Sequence, residues 1–162
     1  MADSLTTMAR SVAELLKARG ETVAVAESST GGLVSAALLA VPGASAWYVG
    51  GGVIYTRDAR RFLLDAPEEV IAMRASTEGY ALLIARLVRE RLGTTWGLAE
   101  SGASGPTGNR YGDDAGHSCA AVAGPVERAA TLETGSAERE DNMWRFAAAA
   151  LRLFEAALRK AD

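Results

Sequence analysis

The chain of 162 residues contains one cysteine, one histidine and two lysines, Lys17 and Lys160. A lone Cys119 closes no internal disulfide and fits a reducing, cytoplasmic setting. One histidine leaves a conventional zinc site short of ligands, so neither a metal nor another cofactor is expected. Positive charge is not in excess. Seventeen Lys and Arg against twenty Asp and Glu give a net charge of −3, which argues against nucleic acid held by a general basic field. No apolar run approaches the roughly 18 residues of a membrane helix. Met1-Ala2-Asp3-Ser4 lacks the basic-then-apolar order of a signal peptide. The strong phosphate signatures are missing too: there is no Gly-x-x-x-x-Gly-Lys-Ser/Thr, and Ser29-Thr30-Gly31-Gly32 is not a dinucleotide fingerprint. Nor is there a Gly-x-Ser-x-Gly elbow with a histidine downstream.

What is present reads as an ordinary globular composition, 49% hydrophobic and 23% charged. Residues 1–162 are expected to form one domain. Leu5, Met8, Val12, Leu15 and Leu16 recur at helical spacing over 4–19, and Gly20 can close that helix. A buried strand is expected over 22–26. A helix follows over 32–40, capped by Thr30 or a neighbouring serine and broken at Pro42-Gly43. Residues 48–56 read as extended through Gly50-Gly51-Gly52. Short helices are predicted at 58–64 and 67–73, and a longer one at 77–92 burying Tyr80, Leu83, Ile84, Leu87 and Val88. A strand at 95–99 and a strand pair at 118–122 and 128–134 precede a last helix over 138–160, with Phe146, Leu151, Phe154 and Leu158 on one stripe. No internal repeat or low-complexity linker is visible. Alternating strands and helices followed by a strand pair predict an α/β fold, a three-layer α/β/α domain with a mixed β-sheet.

Ala-Glu-Ser occurs twice, as Ala26-Glu27-Ser28 and Ala99-Glu100-Ser101, each after an apolar run and before a glycine-rich stretch. Both copies read as strand ends opening into turns whose backbone N–H groups can converge on an anionic ligand. Dense Gly, Ser and Thr also mark 43–56 and 101–118. Any one of these segments could be a plain turn. Three in a small α/β chain point to a crevice at the strand ends. His117 could act as a base, although a lone histidine beside a strand is more often structural. Cys119 reads as a small buried side chain and Asp113-Asp114 as a solvated turn.

Taken in order, several segments resemble the C-terminal domain of the competence/damage-inducible protein CinA, a domain also found as a stand-alone nicotinamide mononucleotide deamidase. They are Ala26-Glu27-Ser28-Ser29-Thr30-Gly31-Gly32, Pro42-Gly43-Ala44-Ser45-Ala46-Trp47-Tyr48 and Gly52-Val53-Ile54-Tyr55-Thr56. Ser101-Gly102-Ala103-Ser104-Gly105-Pro106, Gly116 and the stretch from Gly135 to Arg139 complete the match. The resemblance implies hydrolysis of the carboxamide of nicotinamide mononucleotide to nicotinate mononucleotide and ammonia. It implies a Ser/Tyr/Lys catalytic group whose positions fall on Ser45, Tyr55 and Arg60. It further implies a nucleotide-like substrate held by Ser28, Ser29, Thr30, Gly31, Gly32, Gly102, Ala103, Ser104, Gly105 and Arg139, and self-association into a homo-oligomer.

Two departures matter. Arginine stands at position 60, and a guanidinium does not give up its proton as a desolvated lysine can. Arg60 would then be a fixed cation that favours a Tyr55 phenolate as the base for Ser45. The loop from Thr107 to His117 also differs, bringing Asn109, Arg110, Tyr111 and His117. Arg110 can hold a phosphate and Tyr111 can stack on a ring. Three readings therefore stand: a deamidase, a catalytically weak or inactive relative that binds a nucleotide-like molecule, and an amidase with a different substrate.

Overall fold

Alternation along three neighbouring strands decides how the layers stack in the computed structural model, which describes residues 4–161. Residues 1–3, part of the segment read above for a leader, lie outside the described residues. In β1 (Val23–Glu27), Val23 and Val25 face one side, while Ala24 and Ala26 face the other. In β3 (Trp96–Ala103), Trp96 and Leu98 share the first side and Ala99 the second. β4 (His117–Ala123) repeats the pattern, with Val122 against Ala121 and Ala123. One face is thus built of large side chains and the other of alanines.

The large face packs on α1 (Leu5–Arg19), α2 (Leu33–Leu39) and α6 (Arg139–Lys160), whose Leu16, Leu38, Leu151, Phe154 and Leu158 are buried there. Trp96 and Phe154 meet edge to face with centroids 5.8 Å apart. The alanine face lets α5 (Glu78–Leu92) approach closely, with α3 (Arg57–Phe62) and α4 (Glu68–Ala72) at its margin. The result is three layers with helices on both faces of a mixed sheet, as expected.

The sheet order is β2-β1-β3-β4-β5, with β2 (Tyr48–Val53) and β5 (Arg128–Glu133) at the edges. β1 runs parallel to both β2 and β3, whereas β4 and β5 pair antiparallel. From β1 the chain crosses through α2 to β2, then returns through α5 to β3 on the other side of β1. The strand order therefore reverses at β1. Outside the carboxyl ends of such strands an open α/β sheet leaves a crevice.

Two local expectations are corrected. The second Ala-Glu-Ser does not open a turn, because β3 runs on through Glu100 and Ser101 to Ala103, paired with β4 from Gly97↔Ala123 to Ala103↔His117. Nor is α2 capped by Thr30 or a serine. Its N-cap is Gly32 in the left-handed region, and no side chain of the cap residue bonds the helix. By contrast, Ser4 accepts from Thr7 N–H, Thr56 from Ala59 N–H and Thr77 from Tyr80 N–H, as hydroxyl caps do.

The alanine face has no slack at Gly97. A Cβ there would lie 2.0 Å from the Ala85 carbonyl oxygen in α5. Gly97→Ala should cost at least about 2 kcal/mol, read as a lower urea midpoint at unchanged m-value.

Candidate functional site

The carboxyl ends of β1, β2 and β3 surround a cavity of about 620 Å³ whose wall includes Ser28, Tyr55, Arg60, Ser76, Ser101 and Tyr111. It lies where the reversal of strand order leaves a crevice. Gly102 and Arg110 also line it. Seven of the sequence-predicted residues thus meet in one place: Ser28, Tyr55, Arg60, Gly102, Asn109, Arg110 and Tyr111.

The two glutamates of the repeated motif explain why the loop after β1 holds its shape. Both are buried. Glu27 accepts at Oε1 from the N–H groups of Gly32 at 3.1 Å and Val34 at 2.9 Å, and at Oε2 from Ser35 N–H at 2.8 Å. It also accepts from the Thr30 hydroxyl at 2.7 Å. Glu100 accepts at Oε1 from the N–H groups of Ser28 at 3.1 Å and Thr30 at 2.9 Å, and from the Thr30 hydroxyl at 2.9 Å. The Ser29 hydroxyl donates to Glu100 Oε2. Burial pushes the Glu100 carboxyl above its ordinary value, against the pull of these donors.

This corrects one expectation about the loop. Its N–H groups at Ser28, Thr30 and Gly32 are taken by carboxylates, and Gly31 N–H goes to the Ser28 carbonyl at 3.1 Å. The segment is closed on the protein itself. Ser29 and Thr30 are buried behind the cavity wall, and Ser28 is the member of the loop that lines it.

The second loop is likewise held from behind. Ala103 is buried and its carbonyl accepts from Gly116 N–H at 2.8 Å. Asn142, fully buried in α6, donates to the Ser104 carbonyl at 2.8 Å. Arg139, the first residue of α6, donates through Nη1 to the Gly105 carbonyl and through Nη2 to the Tyr55 hydroxyl at 3.3 Å. Arg139 therefore joins the second loop to Tyr55 directly.

Ser45 is not brought to Tyr55. It is exposed in a 3₁₀ turn, Ala44–Ala46, ahead of β2, whereas Tyr55 follows the far end of that strand. Six strand residues separate the two ends, about 20 Å at the usual rise. A hydrogen bond between Ser45 and Tyr55 of the same chain is thereby excluded.

Arg60 also differs from expectation. It is buried, and its Nη1 donates to the carbonyls of Ile71 at 2.8 Å and Met73 at 3.0 Å, tying α3 to the end of α4. Its guanidinium carbon lies 4.5 Å from the centroid of the Tyr80 ring. Among the described residues its Nε is buried without a hydrogen-bond partner. The cation bonded to the Tyr55 hydroxyl is Arg139 rather than Arg60.

From the loop ahead of β4, Asn109, Arg110 and Tyr111 line the cavity, whereas His117 is buried in β4 behind Ser76. Arg110 donates to the Tyr111 hydroxyl at 3.0 Å, and Arg74 and Arg110 sit 5.3 and 5.1 Å from the Tyr111 ring centroid. Burial opposes ionisation of Tyr111. The Arg110 hydrogen bond, the Ala75 N–H and the charges of Arg110 and Arg60 outweigh it and hold the phenol below its ordinary value. Asp113 is no solvated turn residue: Arg74 reaches both its oxygens at 2.6 Å, and Asn109 Nδ2 donates to it at 2.7 Å. Sequence reading missed Ser76 in the cavity wall, and Arg74 beside Asp113 and Tyr111. Ser76 adopts φ +60, a conformation no serine announces.

The CinA C-terminal domain family model matches residues 5–158. CinA-like proteins of Parasynechococcus marenigrum (strain WH8102) and Gloeobacter violaceus are 41% identical over 127 residues and 42% identical over 137. Those matches take in 78% and 83% of this chain but 30% and 32% of the relatives, so the chain spans about a third of the length of the curated relatives it matches. The crystal structure of the competence damage-inducible protein A (ComA) from Klebsiella pneumoniae is similar at a TM-score of 0.89 and 26% identity, covering 97% of this chain and 98% of that one. That of the competence/damage inducible protein CihA from Agrobacterium tumefaciens is similar at 0.86 and 27%, covering 98% and 99%.

The inward-facing carboxylate that caps α2 gives a direct test. Glu27→Ala strands three helix N–H groups and should cost about 2–4 kcal/mol by thermal or urea unfolding. An exposed control, Glu14→Ala in α1, should stay within about 0.5 kcal/mol of the parent.

Proposed function

This chain belongs to the CinA C-terminal domain family, and on that premise we propose that it is an amidohydrolase acting on a nucleotide-like carboxamide. The specific reaction in this reading is conversion of nicotinamide mononucleotide and water to nicotinate mononucleotide and ammonia. The observation that carries it is one cavity, at the strand-order reversal, holding three serines, two tyrosines and three arginines together. Ser28 rather than Ser45 is the nucleophile, because Ser28 and Tyr55 line that cavity and Ser45 does not.

The chemistry follows from those groups. The Ser28 hydroxyl attacks the carboxamide carbon as its proton passes to the Tyr55 oxygen, which Arg139 holds through Nη2. The C–N bond then breaks as the phenol returns the proton to the departing nitrogen, leaving an ester on Ser28. Water hydrolyses the ester and regenerates the serine. Arg60 moves no proton. It adds fixed positive charge beside the cavity. Arg57 and Arg110 are the outer cations for a phosphate.

A second reading has its own observation. No lysine lines the cavity, and Nη1 of Arg60 is committed to main-chain carbonyls. A relative that binds a nucleotide without turning it over would look like this.

Incubation of the pure chain with nicotinamide mononucleotide should release ammonia, and Ser28→Ala should lower the rate at least about a thousandfold. Loss in Ser45→Ala with retention in Ser28→Ala would overturn the Ser28 assignment and point to Ser45 of a neighbouring copy in a homo-oligomer. A raised Tm with the mononucleotide and no ammonia would select the binding relative.

A further inference from the structure

His117, the one histidine of the chain, is buried at the start of β4. Its Nδ1 meets the Glu133 carboxylate, its register partner on β5. Its Nε2 lies 2.7 Å from the carbonyl oxygen of Ser76. Both partners are acceptors. A neutral imidazole has one N–H and can satisfy one of them; an imidazolium satisfies both.

The other groups facing the ring fit that state. Asp113, ahead of β4, brings a carboxylate oxygen to 3.7 Å of Nε2 and shares its charge with Arg74, from the segment before α5. Cys119, on β4, places Sγ 3.7 Å from Nε2, and burial pushes its thiol up, so it remains neutral. Glu78, at the start of α5, accepts from Thr131 on β5 at 2.8 Å. Burial works against the charged ring, but the hydrogen bonds to Glu133 and Ser76 and the charge of Asp113 outweigh it and hold His117 above its ordinary value.

Ser76 is the reason this matters. It is buried, lines the cavity and holds φ +60. Its N–H donates to the Ser101 hydroxyl at 3.1 Å and its carbonyl faces His117. A non-glycine residue persists in that region only when its surroundings over-determine it.

We propose that His117 is a positioning residue: as the imidazolium it clamps the Ser76 wall of the cavity by its carbonyl, and it releases that wall when the ring loses its proton. The neutral ring keeps the N–H that faces the carboxylate, the stronger of its two hydrogen bonds. Its Nε2 then sets a lone pair against the Ser76 carbonyl. That the cavity is the substrate site rests on the reading above; the clamp itself does not.

The full chain serves for the test, since a single histidine makes a ¹⁵N imidazole NMR titration unambiguous. Both ring nitrogens should carry protons below a midpoint that lies above 6.5. A midpoint at or below 6.5 overturns the clamp. A histidine pKa raised on folding stabilises fully below the unfolded value, and that stability is lost as pH rises through the folded value. Wild type should therefore melt a few degrees above His117→Gln at pH 6, with the gap closing at alkaline pH. A gap independent of pH overturns the proposal, and if the variant fails to fold, the wild-type titration still decides. KM for nicotinamide mononucleotide should rise about two- to tenfold across the NMR midpoint in wild type and stay flat in His117→Gln. A flat wild-type KM overturns the positioning role. If the chain neither binds nor hydrolyses the mononucleotide, the reading of the site fails while the NMR and melting results still judge the clamp.

Discussion

Two buried carboxylates organise the site. Glu27 and Glu100 stand at corresponding points of neighbouring parallel strands and gather five backbone N–H groups from residues 28 to 35. A carboxylate withdrawn from water is costly unless donors surround it, and a helix start with bare N–H groups is costly for the complementary reason. Each defect answers the other. The arrangement holds α2 against the end of β1 and leaves Ser28 on the cavity wall.

The same division of labour governs the arginines. Arg60 spends Nη1 on the carbonyls ending α4, and Arg139 spends Nη1 on Gly105, so both guanidiniums are fixed before any ligand arrives. Their charge reaches the cavity from anchored positions, with little rotamer freedom left to lose on binding. Arg57 and Arg110 are exposed members of the wall. A site with anchored inner cations and exposed outer ones suits a ligand whose reacting end is recognised by fixed geometry and whose charged end is recognised by charge.

Much of this was legible in the sequence. Helical stripes and the order of strands and helices pointed to the layers because burial leaves a clear hydrophobic trace at residues such as Leu16, Leu151 and Phe154. The extent of β3 was not legible. Glu100-Ser101-Gly102-Ala103 is poor strand material, and it stays in the sheet because β4 pairs with it and the loop after β1 supplies donors to Glu100. The N-terminus of α2 was missed for a related reason: its capping oxygens come from Glu27 in the preceding strand, outside the usual N-cap position. Family-like spacing pointed to Ser45 and Tyr55 together. Spacing carries no information about which end of a strand a residue occupies, and these two fall at opposite ends of β2.

The alanine face of the sheet has a dynamical consequence. Gly97 lets the backbone of α5 rest against β3 with no side chain between them, so helix and sheet should move as one plate. The cavity wall at Ala75 and Ser76 runs almost directly into the start of that helix. Any breathing of the entrance is therefore confined to that short lead-in and to the loop facing it. Amide hydrogen exchange should draw the boundary sharply, with slow exchange through α5 and the central strands, and fast exchange beginning within a few residues of Thr77.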